Sequence, residues 1–255
     1  MQGVNTAKKI EKLRKEQNAV IVAHYYQPPD IQDMADFVGD SLELSRFAQR
    51  SDSETIVFCG VGFMAETAKI LQPKRTVLLP VEFAGCLMAD MVTAAQLREL
   101  KDEHPKAAVV CYVNSSAEIK AISDICCTSS NAVRVVRSMP QEEIIFVPDR
   151  NLGRYIARFI PEKKFYYSEG FCPVHNDIVI SDVISSRRNH PDALLLVHPE
   201  CSPEIIDSAD YTGSTSQIIR YVAEKGPGDY LIGTESGLLH QRKQVSPERV
   251  FHTVI

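Results

Sequence analysis

Seven cysteines in a chain of 255 residues are the first candidates for chemistry, and their surroundings divide them. Cys59 and Cys111 lie inside apolar runs. Cys126 and Cys127 stand in a segment that reads as strand ahead of a helix, so all four are expected to be buried as small hydrophobes. Cys86 and Cys172 differ: each follows a glycine-containing loop, Phe83-Ala84-Gly85 and Glu169-Gly170-Phe171, and they stand 86 residues apart. Cys201, beside Glu200, fits either description. An odd number of cysteines with no secretory signal argues against a disulfide framework and leaves metal binding or catalysis for the loop cysteines. Structural zinc sites draw on closely spaced Cys and His pairs, for which Cys172 with His175 is the sole local candidate. Electron-transfer clusters usually include CxxC pairs, and the sequence has none. Cysteines separated by a repeat interval suggest instead a cubane cluster in which three irons take thiolates and the fourth keeps an open site.

A second set of polar residues recurs with nearly the same interval. His24 and Tyr26, Tyr112 and Asn114, and His198 and Glu200 each follow an apolar run, spaced by 88 and then 86 residues. A third set, Ser41, Ser129 and Thr215, reads as helix-opening hydroxyls at the same intervals. Hydroxyls there serve as N-caps, but helix amino termini also attract anions. Three such termini together suit a substrate set carrying carboxylates and a phosphate.

The elements that must position these residues are short runs rich in Val, Ile and Leu alternating with helical periodicity, the pattern of a parallel α/β fold. Strands are expected at residues 19–23, 55–59, 77–81, 107–113, 144–147, 193–197 and 230–232, and helices at 31–50, 63–71, 87–103, 131–139, 152–159 and 216–224. Phe58-Cys59-Gly60, Phe146-Val147-Pro148 and Ile232-Gly233-Thr234 keep the register of the other two sets. Three features agreeing on two intervals imply three homologous βαβαβ units about a pseudo-threefold axis, with boundaries at 1–85, 86–171 and 172–255. Ligands of such units bind beyond the carboxyl ends of the strands, where the polar residues stand. Adding the interval to Cys172 places a third cluster cysteine near position 258.

Composition excludes several classes. A hydrophobic content of 44% and charged content of 24% supply a core and rule against disorder. A net charge of −5 with scattered Lys and Arg leaves no nucleic-acid footprint, and the lysines around Lys8, Lys9 and Lys12 read as a solvated helix face. Residues 1–17 are polar and the run 19–23 is too short for a signal peptide or membrane span, so a cytoplasmic protein without membrane partners is expected.

Nine ordered stretches carry a family resemblance: residues 23–27 (AHYYQ), 36–42 (DFVGDSL), 63–71 (FMAETAKIL), 86–91 (CLMADM), 112–115 (YVNS), 128–133 (TSSNAV), 170–175 (GFCPVH), 198–201 (HPEC) and 213–218 (GSTSQI). Together they span nearly the whole chain, which resembles the quinolinate synthase (NadA) family. The resemblance implies an α/β molecule of three α/β/α sandwich domains around a central active site, with a 4Fe-4S cluster held by three cysteines, two of them matching Cys86 and Cys172. It implies that iminoaspartate and later intermediates are bound by residues matching His24, Ser41, Tyr112, Asn114, Ser129, His198, Glu200 and Thr215. The reaction implied joins iminoaspartate and dihydroxyacetone phosphate and releases phosphate and two waters, with the cluster as Lewis acid. Glu200 is then the expected general base and acid, Tyr26 and His198 the next proton donors, and His24 the residue that orients a carboxylate. An aspartate oxidase or dehydrogenase is the expected transient partner supplying iminoaspartate. A protein ending at Ile255, short of the third cysteine, is expected to bind iron weakly and make no quinolinate. The alternatives are another 4Fe-4S-dependent hydro-lyase acting on a hydroxy acid, and a non-catalytic iron–sulfur sensor, for which no output surface is visible.

Overall fold

The computed structural model describes residues 2–225, 228–235, 237, 240 and 249–254, with side chains from residue 6 onward. Residues 1–86 and 87–255 form two compact units. In the first, the chain runs α1 (Gln2–Glu16), β1 (Ala19–His24), α2 (Pro29–Met34), β2 (Phe37–Gly39), α3 (Ser41–Arg50), β3 (Thr55–Cys59), α4 (Gly62–Leu71) and β4 (Thr76–Leu78). These strands make one parallel sheet in the order β2-β1-β3-β4.

The second unit contains two more four-stranded parallel sheets. A 3₁₀ turn at Leu87–Asp90 leads into α5 (Ala94–Glu103), β5 (Ala108–Tyr112), α6 (Ala117–Ala121), β6 (Ile125–Cys127), α7 (Ala132–Ser138), β7 (Glu143–Val147), α8 (Arg150–Ala157) and β8 (Lys164–Tyr167). Then follow α9 (Pro173–Asn176), α10 (Ile180–Asn189), β9 (Leu194–Val197), α11 (Pro203–Ser208), β10 (Tyr211–Thr212), α12 (Thr215–Lys225), β11 (Asp229–Gly233) and β12 (Val250–Thr253). Their orders, β6-β5-β7-β8 and β10-β9-β11-β12, repeat that of the first sheet. Among the described residues no helix is long and apolar enough to cross a membrane.

Side-chain hydrogen bonds restate this repeat. Asp36 accepts the Ile21 N–H at 2.8 Å, Asp124 the Val109 N–H at 2.7 Å and Asp210 the Leu195 N–H at 2.8 Å, each fixing a central strand to the turn before its edge strand. At the starts of the helices that follow, Glu43, Asn131 and Gln217 reach back to the N–H groups of Asp40, Thr128 and Ser214 at 3.0, 2.7 and 2.8 Å. Both triplets are spaced by 88 and 86 residues.

Burial explains the central strands. All five residues of β5 are buried, as expected for a strand sandwiched on both faces, where the apolar run is continuous rather than alternating. Val109, Cys111, Ile145 and Val147 pack against Leu97 and Ile119, while Leu195, Val197 and Leu231 pack against Val183 and Ile205. Fully burying a Leu or Ile side chain of this kind stabilises the fold by about 1.5–3 kcal/mol.

The structure also corrects element boundaries. The helix expected over 31–50 is two helices with β2 between them, because Pro29 starts α2 at its first turn, Asp36 ties the chain to β1, and Asp40 caps α3 in a capping box with Glu43. The helix expected from Leu87 starts at Ala94, where Thr93 and Gln96 form the capping box.

Candidate functional site

Each central strand ends at the polar pair singled out by its spacing. In the first unit His24 closes β1, is buried, and through Nδ1 accepts the Tyr26 N–H at 3.2 Å, with the two rings edge-on at 4.5 Å. In the second unit His198 follows β9 and its Nδ1 lies 3.4 Å from the Glu200 N–H, the same two-residue contact. Tyr112 closes β5 and is buried. Asn114 Oδ1 and Glu200 Oε1, related by the 86-residue interval, are both buried without a hydrogen-bond partner. Native interiors rarely leave such atoms unpaired, which makes these two strand ends candidates for ligand contact.

The third strand of the same sheets supports a second cluster. Asp149, buried just beyond β7, caps α8 through Oδ1, which accepts the Asn151 and Leu152 N–H groups at 2.8 and 2.9 Å. Its Oδ2 accepts the Cys172 N–H at 3.2 Å. Asn151 Nδ2 in turn donates to the Glu200 carbonyl at 3.2 Å. One helix start thereby positions both Cys172 and Glu200.

His175 joins them. Its Nδ1 lies 2.8 Å from Glu200 Oε2 and 3.1 Å from Cys172 Sγ, and its Nε2 lies 2.8 Å from Thr234 Oγ1. An ionised carboxylate only accepts, so Nδ1 carries a proton and donates to Glu200. His198 stacks on His175 at 4.6 Å and approaches Glu200 Oε2 at 3.6 Å.

These contacts set the electrostatics. Burial alone would raise the Glu200 carboxyl, but His198 and His175, with Tyr112, outweigh it and hold the group below the usual carboxylate range. Burial, and then the Glu200 charge, push Asp149 well above that range despite its three backbone donors. The same two causes push the Cys172 thiol up. A cation at Cys172 would relieve that repulsion. Cys172 Sγ, His175 and Glu200 offer ligand atoms all within 4.8 Å of one another, a group that could hold a metal ion.

The helix-opening hydroxyls are arranged less uniformly than their spacing suggests. Ser41 and Thr215 are the first residues of α3 and α12, whereas Ser129 sits in a turn three residues ahead of α7. Capping falls to the preceding residues: Asp40 caps α3, and Ser214 Oγ accepts the Gln217 N–H at 3.4 Å. Gln217 also donates from Nε2 to the Ser130 carbonyl at 3.5 Å, joining the turns that carry Ser129 and Thr215.

Of the cysteines, Cys111, Cys127 and Cys201 are buried, Cys59, Cys86 and Cys172 half-buried, and Cys126 exposed. Burial of Cys126 was the wrong expectation, because β6 is an edge strand and leaves that side chain at the rim. Cys201 packs with Leu195 and Ile205 in the core. The cysteine expected near position 258 lies outside the described residues. Asp149, Asn151 and Thr234 were not singled out from the sequence, although Thr234 belongs to a recurring triplet and Asp149 follows another.

Gly170 holds the Cys172 loop close to β7. A Cβ there would stand 2.4 Å from the Pro148 carbonyl oxygen, and the Gly170 carbonyl accepts the Arg150 N–H at 2.8 Å. Gly170→Ala is therefore expected to destabilise the protein by about 1–3 kcal/mol through overpacking against backbone. A urea midpoint equal to that of the parent would show that the loop yields freely.

The family described as quinolinate synthetase A protein (NadA) matches residues 8–255. The chain is 52% identical to a quinolinate synthase of Alkaliphilus metalliredigens over 252 residues, 99% of this chain and 83% of that protein. It is 53% identical to one of Clostridium perfringens over 244 residues, 96% of this chain and 81% of the relative. With a quinolinate synthase of Methanoregula boonei it shares 55% identity over 238 residues, 93% and 78% of the two chains.

Proposed function

The chain belongs to the quinolinate synthase family, and on that premise we propose how its own side chains carry out the family's reaction. Quinolinate synthase condenses iminoaspartate with dihydroxyacetone phosphate to quinolinate, phosphate and two waters in NAD biosynthesis. No net redox change accompanies this conversion, so the protein must bind a dicarboxylate beside a phosphate ester and move protons between carbon, nitrogen and leaving oxygens.

The observation that carries our reading is the pair of unpartnered buried atoms, Asn114 Oδ1 and Glu200 Oε1, at equivalent strand ends. Asn114 Oδ1 accepts from an N–H or O–H of the substrate, and Glu200 Oε1 takes the proton that must leave carbon or nitrogen before each water is lost. Because Glu200 is ionised below the usual carboxylate range, it rests in the base form. His198 and His175, both against Oε2, hold the carboxylate in place and pass its proton on, with Tyr26 and His198 donating to departing hydroxyls. His24 orients a carboxylate, Tyr112 packs at the same strand end as Asn114, and Ser41, Ser129 and Thr215 hold the anionic groups of the substrates.

The resident cofactor in this reading is a 4Fe-4S cluster, with Cys86 and Cys172 as two of its thiolate ligands. The donor set fits: a half-buried thiol whose proton is held on by burial and by the Glu200 charge, next to an unpartnered carboxylate oxygen. When bound, such a cluster supplies Lewis-acid polarisation of a substrate oxygen. The substrates are small molecules, iminoaspartate arrives from an aspartate oxidase or dehydrogenase, and the setting is the cytoplasm. Anaerobic incubation of protein that carries the cysteine expected near position 258 with both substrates is expected to release quinolinate and phosphate together. Dehydration of a hydroxy acid with no quinolinate formed would favour a hydro-lyase instead.

A further inference from the structure

Cys126 is an exposed thiol that the proposed mechanism does not use. It stands on β6 in register with Cys111 on β5. In-register residues of neighbouring strands point to the same face, with strands about 4.8 Å apart, and disulfides span Cα separations of about 4.4–6.8 Å. Cys111 is fully buried beneath the sheet, whereas Cys126 meets solvent at its edge. The neighbouring Cys111 thiol and the Lys120 charge, opposed by partial burial, bring the Cys126 thiol down to about 7. The nearby Cys126 sulfur, together with burial, keeps Cys111 protonated. An accessible thiolate beside a protected thiol is the usual make-up of a sensing and resolving pair.

We infer that Cys126 and Cys111 form a hydroperoxide-responsive dithiol–disulfide pair, an oxidation site separate from Cys86 and Cys172. The Cys126 thiolate attacks the peroxide O–O bond, becoming a sulfenic acid while the hydroperoxide is reduced to an alcohol or water. The Cys111 sulfur then attacks the sulfenic sulfur, an S–S bond forms, and hydroxide leaves as water with the Cys111 proton. Two electrons pass from the two sulfurs to the peroxide, and a dithiol reductant returns them.

Parallel in-register Cβ atoms lie near the strand spacing, farther apart than the mean of about 3.8 Å in disulfides, so the bond draws β5 and β6 together and is readily reduced. Cys111 immediately precedes Tyr112, and Cys126 lies three residues before Ser129. The thiol of Cys111 also lies 3.2 Å from the Tyr112 carbonyl, a contact that loses its proton on oxidation.

Graded hydroperoxide treatment, alkylation and tryptic mapping test the pair, because cleavage at Lys120 places Cys111 in peptide 107–120 and Cys126 with Cys127 in peptide 121–134. The expected product is a disulfide joining these two peptides, removed by dithiothreitol, absent in Cys126→Ser and retained in Cys127→Ser. Iodoacetamide labelling of Cys126 should show half-maximal rate near pH 7. A bond confined within peptide 121–134, conversion of Cys126 to sulfinic acid without pairing, or an unoxidised Cys126 when other thiols have reacted would each overturn the inference. Since the edge position of Cys126 tolerates Ser, the outcome does not depend on folding of a core variant, and the mass readout is independent of quinolinate formation.

Discussion

Glu200→Gln is expected to lower quinolinate formation by about 10²-fold or more while the fold and iron content persist, since general acid–base catalysis by one side chain typically contributes 10²–10⁴-fold. Glutamine keeps the size of the side chain, the backbone contact to His198 and the carbonyl that accepts from Asn151. What it removes is the proton acceptor at Oε1. The pH dependence sharpens this expectation. The folded-state pKa of Glu200 is depressed, so its ionised form stabilises the fold above the unfolded carboxylate range, and that contribution fades only as pH falls through the lowered value. The base form therefore persists across about pH 5–8, and Glu200 sets no rate limb there. Its charge also raises the Cys172 thiol, so alkylation of Cys172 in the metal-free variant should reach half-maximal rate at lower pH than in the parent. Turnover near that of the parent would remove Glu200 from the role of base, whatever the thiol did.

Legibility of the fold followed the repeat. The intervals of 88 and 86 residues located β1, β5 and β9 and their polar ends, because backbone register and strand-end chemistry are written locally in short apolar runs. The short edge strands β2, β6 and β10 were less legible. They are held by Asp36, Asp124 and Asp210, whose spacing was present in the sequence but whose partners, N–H groups of a strand 15 residues earlier, appear only in the folded chain. The exposed Cys126 has the same origin, since sequence composition does not distinguish an edge strand from a central one. In the site, Glu200 and His198 were legible from the repeat, and His175 from its spacing to Cys172. Asp149 was not: an Asp before a helix reads as an ordinary cap, and only the fold shows its second oxygen holding the Cys172 N–H.

Cys172→Ala is expected to reduce the iron and sulfide content of anaerobically prepared enzyme by tenfold or more, and quinolinate formation with it. Even outer contacts of a metal ligand typically change affinity by about 10- to 100-fold, and here a direct thiolate is removed. Folding should be little affected, because Cys172 is half-buried and its backbone N–H, which Asp149 accepts, survives the substitution. Cys201→Ala should behave oppositely: its side chain is fully buried in the core, so stability falls by about 1–2 kcal/mol through the cavity left behind while iron content holds. His175→Ala separates the two kinds of metal centre that Cys172 could serve. A single ion bound by Cys172, His175 and Glu200 would be lost with His175 as completely as with Cys172. A cluster held by thiolates would keep its iron and sulfide in His175→Ala and lose activity through the misplaced Glu200 alone. Full iron and sulfide content with normal turnover in Cys172→Ala would end the assignment of that sulfur as a ligand.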